Sequence, residues 1–168
     1  MQQITEEFIQ SLSKKNVLAL DIATKCGFYS SFGYGTQYFP NTEKAPKKFG
    51  PNYQQHKAFR DWLKKFILDH NIKLVAAENV EVSKSFLALR KLSEFRGVLY
   101  EICATLNVPI IFVGIPVLKK WMTGNGNASK QEMMDMAIKR FHLDVEDDDN
   151  AADAAAIFFY IIRRYNLH

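Results

Sequence analysis

The chain is poor in the features that mark several whole classes of protein. Two cysteines in 168 residues, Cys26 and Cys103, exclude a disulfide framework and fit a reducing compartment. Neither falls in a CxxC or CxxH spacing, so a structural zinc site is not expected. No apolar run approaches the length of a membrane span, and the opening MQQITEEFIQSL is acidic and amphipathic, unlike a signal peptide. A soluble, cytoplasmic protein is the expectation. There is no internal repeat and no linker, so a single domain over residues 1–168 is expected. Nor is there a large excess of charge of one sign. Twenty-two basic against 18 acidic residues give a net charge of +4 and a pI near 9.0, which permits nucleic-acid binding without requiring it.

What is present is core material. Hydrophobic residues make up 48% and aromatics 13%, the composition of a globular chain long enough to bury a proper core. Within it stand three acidic islands: Asp21 in VLALDIAT, Glu78 in LVAAENV and Asp153 in DDDNAADAAA. The first two end apolar runs, and burying an ionised carboxylate without a partner is costly. Three such groups brought together repel one another unless divalent cations neutralise them. Hard ions with oxygen ligands, Mg²⁺ or Mn²⁺, suit that arrangement, and so does phosphodiester chemistry.

Periodicity places the islands on elements. Residues 3–14 read as a short leading helix, and 17–22 as a buried central strand. Residues 27–34 and 36–39, separated by Gly35, read as a hairpin meander, and 41–51 as a basic loop. A helix spans 53–70 and stops at Asn71; 72–77 is a second buried strand. Ser83 or Ser85 caps a helix running to Leu106, and 108–113 is a third buried strand. Pro116 opens a short helix to Met122, ended by the Gly124-Asn125-Gly126-Asn127 loop. Ser129 and Glu132 form a capping box for a helix to Phe141, and a last helix covers 150–165. Three hairpin-connected strands followed by βα crossovers make an α/β fold: a ribonuclease H-like mixed sheet with helices on both faces. Sites in such sheets form at the carboxyl ends of the parallel strands, where Asp21 and Glu78 fall.

Each island has a plainer explanation. Asp21 could cap the turn after its strand, and Glu78 could be a salt-bridged strand end. Asp153 could be an acid favoured by the helix dipole, but that leaves its flanking alanines unexplained; they let a helix backbone approach the sheet closely. Asn150 lies on the same helical face, Asp149 precedes it, and Asp147 and Asp148 read as solvated loop charge. Lys119, Lys120 and Lys130 around the glycine loop, and the lysines at 44–48, are either phosphate contacts or ordinary surface lysines.

The segments LALDIATKCGF, VAAENV, LRKLSEFRGVLYEI, PVLKKWMTGNGNASKQEM and DDNAADAAAI, in this order and strand context, resemble the RuvC family of Holliday-junction resolvases. The resemblance runs from Val17 to Tyr165. It implies a homodimeric endonuclease that binds four-way DNA junctions and cuts two opposed strands, using two Mg²⁺ ions per active site, with Mn²⁺ as a substitute. It assigns metal ligation to Asp21, Glu78 and Asp153. It places the family's remaining helix acid on Asn150, whose oxygen can still ligate, with Asp149 as the substitute. Lys119 and Lys130 match DNA-contact positions, Lys120 stands beside them, and Lys130 would stabilise charge on the scissile phosphate. The helix over 89–102 resembles the dimer-contact helix. An aromatic expected three residues past Glu78 is here Glu81, leaving Phe86 to insert at the junction. The turn Asp21-Ile22-Ala23-Thr24 lacks the family's proline and glycine, a divergence that fits a phage or mobile-element relative.

Three rival functions compete. Asp21-Ile22-Ala23-Thr24 also resembles the phosphate-binding turn of sugar-kinase and actin-like ATPases, though those need two such domains. A non-catalytic junction-binding protein would explain Asn150. A ribonuclease H-like nuclease acting on other branched DNA or on RNA would share the acids.

Overall fold

β1 (Val17–Asp21), β2 (Lys25–Ser30), β3 (Gly33–Tyr38), β4 (Leu74–Asn79) and β5 (Ile110–Gly114) form one sheet in the order β3-β2-β1-β4-β5. β1, β2 and β3 pair antiparallel; β4 and β5 extend the sheet in parallel with β1. This is the mixed sheet expected from the order of elements. The computed structural model describes residues 3–40, 52–79, 85–144 and 148–168. The lysines at 44–48, together with Glu81, Ser83 and Asp147, lie outside them.

Side chains alternate across a strand, and the two faces of the sheet are covered by different helices. Leu18, Leu20, Val75 and Ala77 join α2 (Tyr53–Asp69) and α3 (Phe86–Thr105) in one core, through Phe59, Leu63, Phe95, Leu99 and Ile102. Val17, Ala19, Leu74 and Ala76 join α6 (Asp149–Arg164) in the other, through Ile157, Phe158 and Ile161. Each fully buried Leu, Ile or Phe contributes roughly 1.5–3 kcal/mol, so these two layers dominate the stability. The first layer also holds the two free, buried cysteines. Burial pushes the Cys26 thiol far up and Cys103 to about 12, which leaves both inert.

The remaining helices are short. α1 (Glu6–Gln10) is capped by the Thr5 side chain, and a 3₁₀ turn, Lys14–Asn16, leads into β1. The leading helix is therefore shorter than the 3–14 expected. α4 (Ile115–Thr123) starts one residue before Pro116 and closes on Gly124, whose φ of 84° is left-handed. α5 (Lys130–Phe141) carries the expected capping box. Among the described residues no helix is long and apolar enough to cross a membrane.

The hairpin turns earlier than Gly35 indicates. Ser30 Oγ accepts from Phe32 N and donates to the Gly33 carbonyl, both at 3.1 Å, so the reversal sits at Ser31 and Phe32. Gly33 and Gly35 lie inside β3, at φ of 149° and 150°. The serine-built turn is a local competition for backbone hydrogen bonds that glycine spacing does not reveal.

Candidate active site

β1 pairs β4 in parallel up to Leu20 opposite Ala77. One position further stand Asp21 and Glu78. Adjacent strands lie about 4.8 Å apart and neighbours in register point the same way, so the two carboxyls share a face. By alternation it is the face of Val17, Ala19, Leu74 and Ala76, which α6 covers.

Helix α6 brings the third acid. Ala151, Ala152, Ala154, Ala155 and Ala156 are all buried, so its backbone approaches the sheet with no large side chain between. The contact is closest at Gly27, paired with Asp21 across the hairpin. A Cβ at Gly27 would stand 1.9 Å from the Asn150 carbonyl oxygen. Further in, Asp153 reaches the strand ends. The start of α6 is fastened to the hairpin as well. Thr36 Oγ1 donates to Asp148 Oδ1 at 2.6 Å, and the same oxygen accepts from Ala151 N at 2.9 Å. Asp148, expected as solvated loop charge, is instead the helix cap.

Asp21, Glu78 and Asp153 line one cavity of about 290 Å³, together with Lys119, Lys130, Ile115, Leu118 and Met133. Burial and the charges of Glu78, Asp153 and, least, Asp149 raise Asp21 to about 8, with Lys130 opposing. Burial raises Glu78 to about 7, helped by Asp153 and opposed by Lys119 and Lys130. Asp153 rises to about 6, chiefly through burial, with Lys130 and Lys119 pulling it down. Asp21 and Glu78 in this state hold protons near neutrality unless added positive charge favours the ionised form.

These residues fit a hard divalent cation by donor chemistry: all three acids present oxygen, crowding raises their proton affinity, and a cation would relieve it. Among the described residues, no three His, Cys, Asp or Glu side chains are closed into a ready metal cage. The cavity offers convergent donors that ligation would draw together.

The other expected site residues divide. Lys119 and Lys130 line the cavity, and Lys130 Nζ also donates to Asp149 Oδ2 at 2.6 Å. Lys120 is exposed on α4, and Phe86 stands 77% exposed at the first residue of α3; neither is among the cavity-lining residues. Asn150 is not among them either; its carbonyl lies over Gly27. Three amides of the glycine loop after α4 are engaged internally. Gly124 N donates to the Lys120 carbonyl, Asn125 N to Thr123 Oγ1 and Asn127 N to Asn125 Oδ1.

Sequence reasoning missed the apolar wall of Ile115, Leu118 and Met133 and the Thr36–Asp148 fastening. It also missed Arg140, which stacks 4.5 Å over the Trp121 ring and donates to the Trp121 and Met122 carbonyls, tying α5 to α4. Only Met133 carried a signal, since helical spacing from the Ser129 cap turns it inward.

Comparison with known proteins agrees with this arrangement. The family model described as "Crossover junction endodeoxyribonuclease RuvC" matches residues 45–160. A crossover junction endodeoxyribonuclease RuvC of Mannheimia succiniciproducens is 30% identical over 84 residues, which is 50% of this chain and 42% of that protein. The match thus spans less than half of the curated relative's length. Among solved structures, RuvC of T. thermophilus in complex with Holliday junction substrate superposes with a TM-score of 0.68 at 17% identity. That superposition covers 89% of this chain and 95% of the other. The yeast mitochondrial Holliday junction resolvase gives 0.60 at 15% identity, covering 96% and 84%. At these identities the structural likeness speaks for the fold.

Proposed function

This chain belongs to the RuvC family of crossover junction endodeoxyribonucleases, and from that membership we propose that it is a structure-specific DNA endonuclease that resolves four-way junctions. The observation that carries the reading is the meeting of Asp21, Glu78 and Asp153, from three separate elements, in one cavity with Lys119 and Lys130. Half-buried acids beside lysines suit a polyanionic substrate that arrives with divalent cations.

Asp21, Glu78 and Asp153 would hold two divalent ions, Mg²⁺ with Mn²⁺ as a substitute. When bound, such ions supply the charge that activates water and offsets the charge gathering on the departing 3′-oxygen. The protein's own side chains do the rest. Lys130 and Lys119 meet the scissile phosphate with fixed positive charge. Ile115, Leu118 and Met133 wall the cavity and keep the local dielectric low, which strengthens each of these interactions. Lys120, exposed on α4, meets the duplex backbone by charge alone.

A homodimer presents two such cavities about a two-fold axis, as a four-way junction with two-fold symmetry requires. Tyr100, exposed within the 89–102 stretch of α3, supports that assembly. Phe86 is the apolar side chain available to enter the junction.

The test is one panel of four-way, three-way, flap and RNA–DNA substrates, each with Mg²⁺ and Mn²⁺. Preferential paired cutting of the four-way junction supports the reading. Equal cutting of flaps or of RNA–DNA hybrid points to a broader nuclease. Tight junction binding with no cutting in either metal points to a junction-binding protein.

A further inference from the structure

The ion pair between Lys130 and Asp149 has little to offer the fold. Lys130 Nζ donates to Asp149 Oδ2 at 2.6 Å, with the side chains 75% and 39% exposed. A pair this open to water adds little to stability once the entropy of holding the lysine is counted. Yet both partners are placed with care. Lys130 is the first residue of α5, set by the capping box in which Ser129 N donates to Glu132 Oε2 and Glu132 N to Ser129 Oγ. Asp149 is the first residue of α6, set by the Asp148 cap that Thr36 anchors to β3. The pair therefore joins two helix starts beside the acid cavity. Lys130 lines that cavity, and Asp149 is not among its lining residues.

We infer that Asp149 is a positioning residue: it holds the Lys130 ammonium over the acid cavity, where a substrate phosphate would meet it, and is not itself a metal ligand. The inference rests on the nuclease reading above and deepens it. Its chemical basis is competition for one carboxylate. Asp149 stands outside the cavity lining and gives Oδ2 to Lys130, so a cation held through its remaining oxygen would share the carboxylate's charge with Lys130 and loosen its hold on that lysine. With Asp149 engaged, the protein ligand set is Asp21, Glu78 and Asp153, and neither Asn150 nor Asp149 supplies a fourth. Lys130 is then held in one place before the substrate arrives, and that order is what turnover gains from Asp149.

The test compares Asp149→Asn, Asp149→Glu, Lys130→Ala and the double variant Asp149→Asn/Lys130→Ala with Asp153→Asn as the ligand control. Two readouts are needed. The first is Mn²⁺ binding to the DNA-free protein by calorimetry. Asp149→Asn should bind Mn²⁺ with near wild-type affinity, while Asp153→Asn loses about tenfold or more. The second is turnover on a four-way junction. Asp149→Asn should lower kcat by about ten- to a hundredfold at unchanged KM, and Asp149→Glu should recover most of it. The double variant should be no slower than Lys130→Ala, since the two residues act as a unit.

A loss of Mn²⁺ affinity in Asp149→Asn matching that of Asp153→Asn would overturn the inference. Full turnover in Asp149→Asn would overturn it too, as would losses that multiply in the double variant. If the wild-type protein cuts no substrate, the nuclease reading fails, and Mn²⁺ binding alone then decides whether Asp149 is a ligand.

Discussion

Asp21 and Glu78 stand one position beyond the last pair between β1 and β4, and Asp153 lines the same cavity from α6. If they hold the catalytic ions, replacing any one with its amide keeps the shape and removes the charge. Asp21→Asn, Glu78→Gln and Asp153→Asn should each cut junction cleavage by about a hundredfold or more, while gel-shift binding of the junction in Ca²⁺ stays close to wild type. The same acids make the fold sensitive to pH. Each carboxyl binds its proton more tightly in the fold than in the unfolded chain, so the folded state carries the extra protons above pH 4. In chelator, stability should therefore fall as pH rises from about 4 through 6, 7 and 8, the raised values of Asp153, Glu78 and Asp21. A melting series should show the midpoint dropping over that window. Asp21→Asn should raise the midpoint at pH 8, and Mg²⁺ should do the same for the wild type. A midpoint indifferent to pH, to Mg²⁺ and to Asp21→Asn would mean that burial and mutual repulsion do not raise the proton affinity of these acids.

At the scale of elements, most of the sheet could be read from the chain, and the parts that could not have identifiable causes. Apolar runs ending in Asp21 and Glu78 gave β1 and β4, because strands buried on both faces are continuous in hydrophobicity. The alanines around Asp153 correctly implied a helix laid close on the sheet. The Ser129–Glu132 box marked the start of α5 to the residue. The hairpin turn was misplaced because Ser30 makes it through its hydroxyl, a contact with no spacing signature. Thr36 and Asp148 are 112 residues apart, and nothing local in either stretch joins them.

The placement of α6 is thus a property of contacts that cannot be seen along the sequence, and it can be tested there. Gly27→Ala puts a methyl group into the Asn150 carbonyl, a backbone atom that gives way only if the helix moves. The expected cost is roughly 1–3 kcal/mol, with cleavage reduced beyond what the stability loss explains. Thr36→Val removes the hydroxyl that Asp148 accepts from. It should cost about 1 kcal/mol and slow cleavage without altering the melting cooperativity. A Gly27→Ala protein as stable and active as wild type would show that α6 does not depend on this approach.

For the whole molecule, the charge balance sets expectations for how DNA is held. A net charge of +4 is modest, so affinity depends on where the lysines lie: Lys119 and Lys130 at the cavity and Lys120 beside them on α4. Binding held through phosphates weakens steeply with salt, by a logarithmic slope of about 0.9 per contact. Lys120→Ala should lower that slope by about 1 and weaken all duplexes alike. An unchanged slope would remove Lys120 from the interface. The expectation of a dimer comes from the family resemblance; α3 spends its buried residues on the core and leaves Tyr100 exposed for such a contact. Sedimentation should give about twice the 19.3 kDa of one chain, and a monomer that still cuts both strands of a junction would contradict the symmetric arrangement.

The most direct measurement is cleavage of a synthetic four-way junction, each strand labelled in turn, by wild type and Asp21→Asn in Mg²⁺ and in chelator. The predicted result is paired nicks on two opposed strands, seen only with wild type and Mg²⁺, while both proteins retain junction binding. Cleavage by Asp21→Asn at the wild-type rate, or by wild type in chelator, would contradict the assignment of the three acids to metal-dependent catalysis.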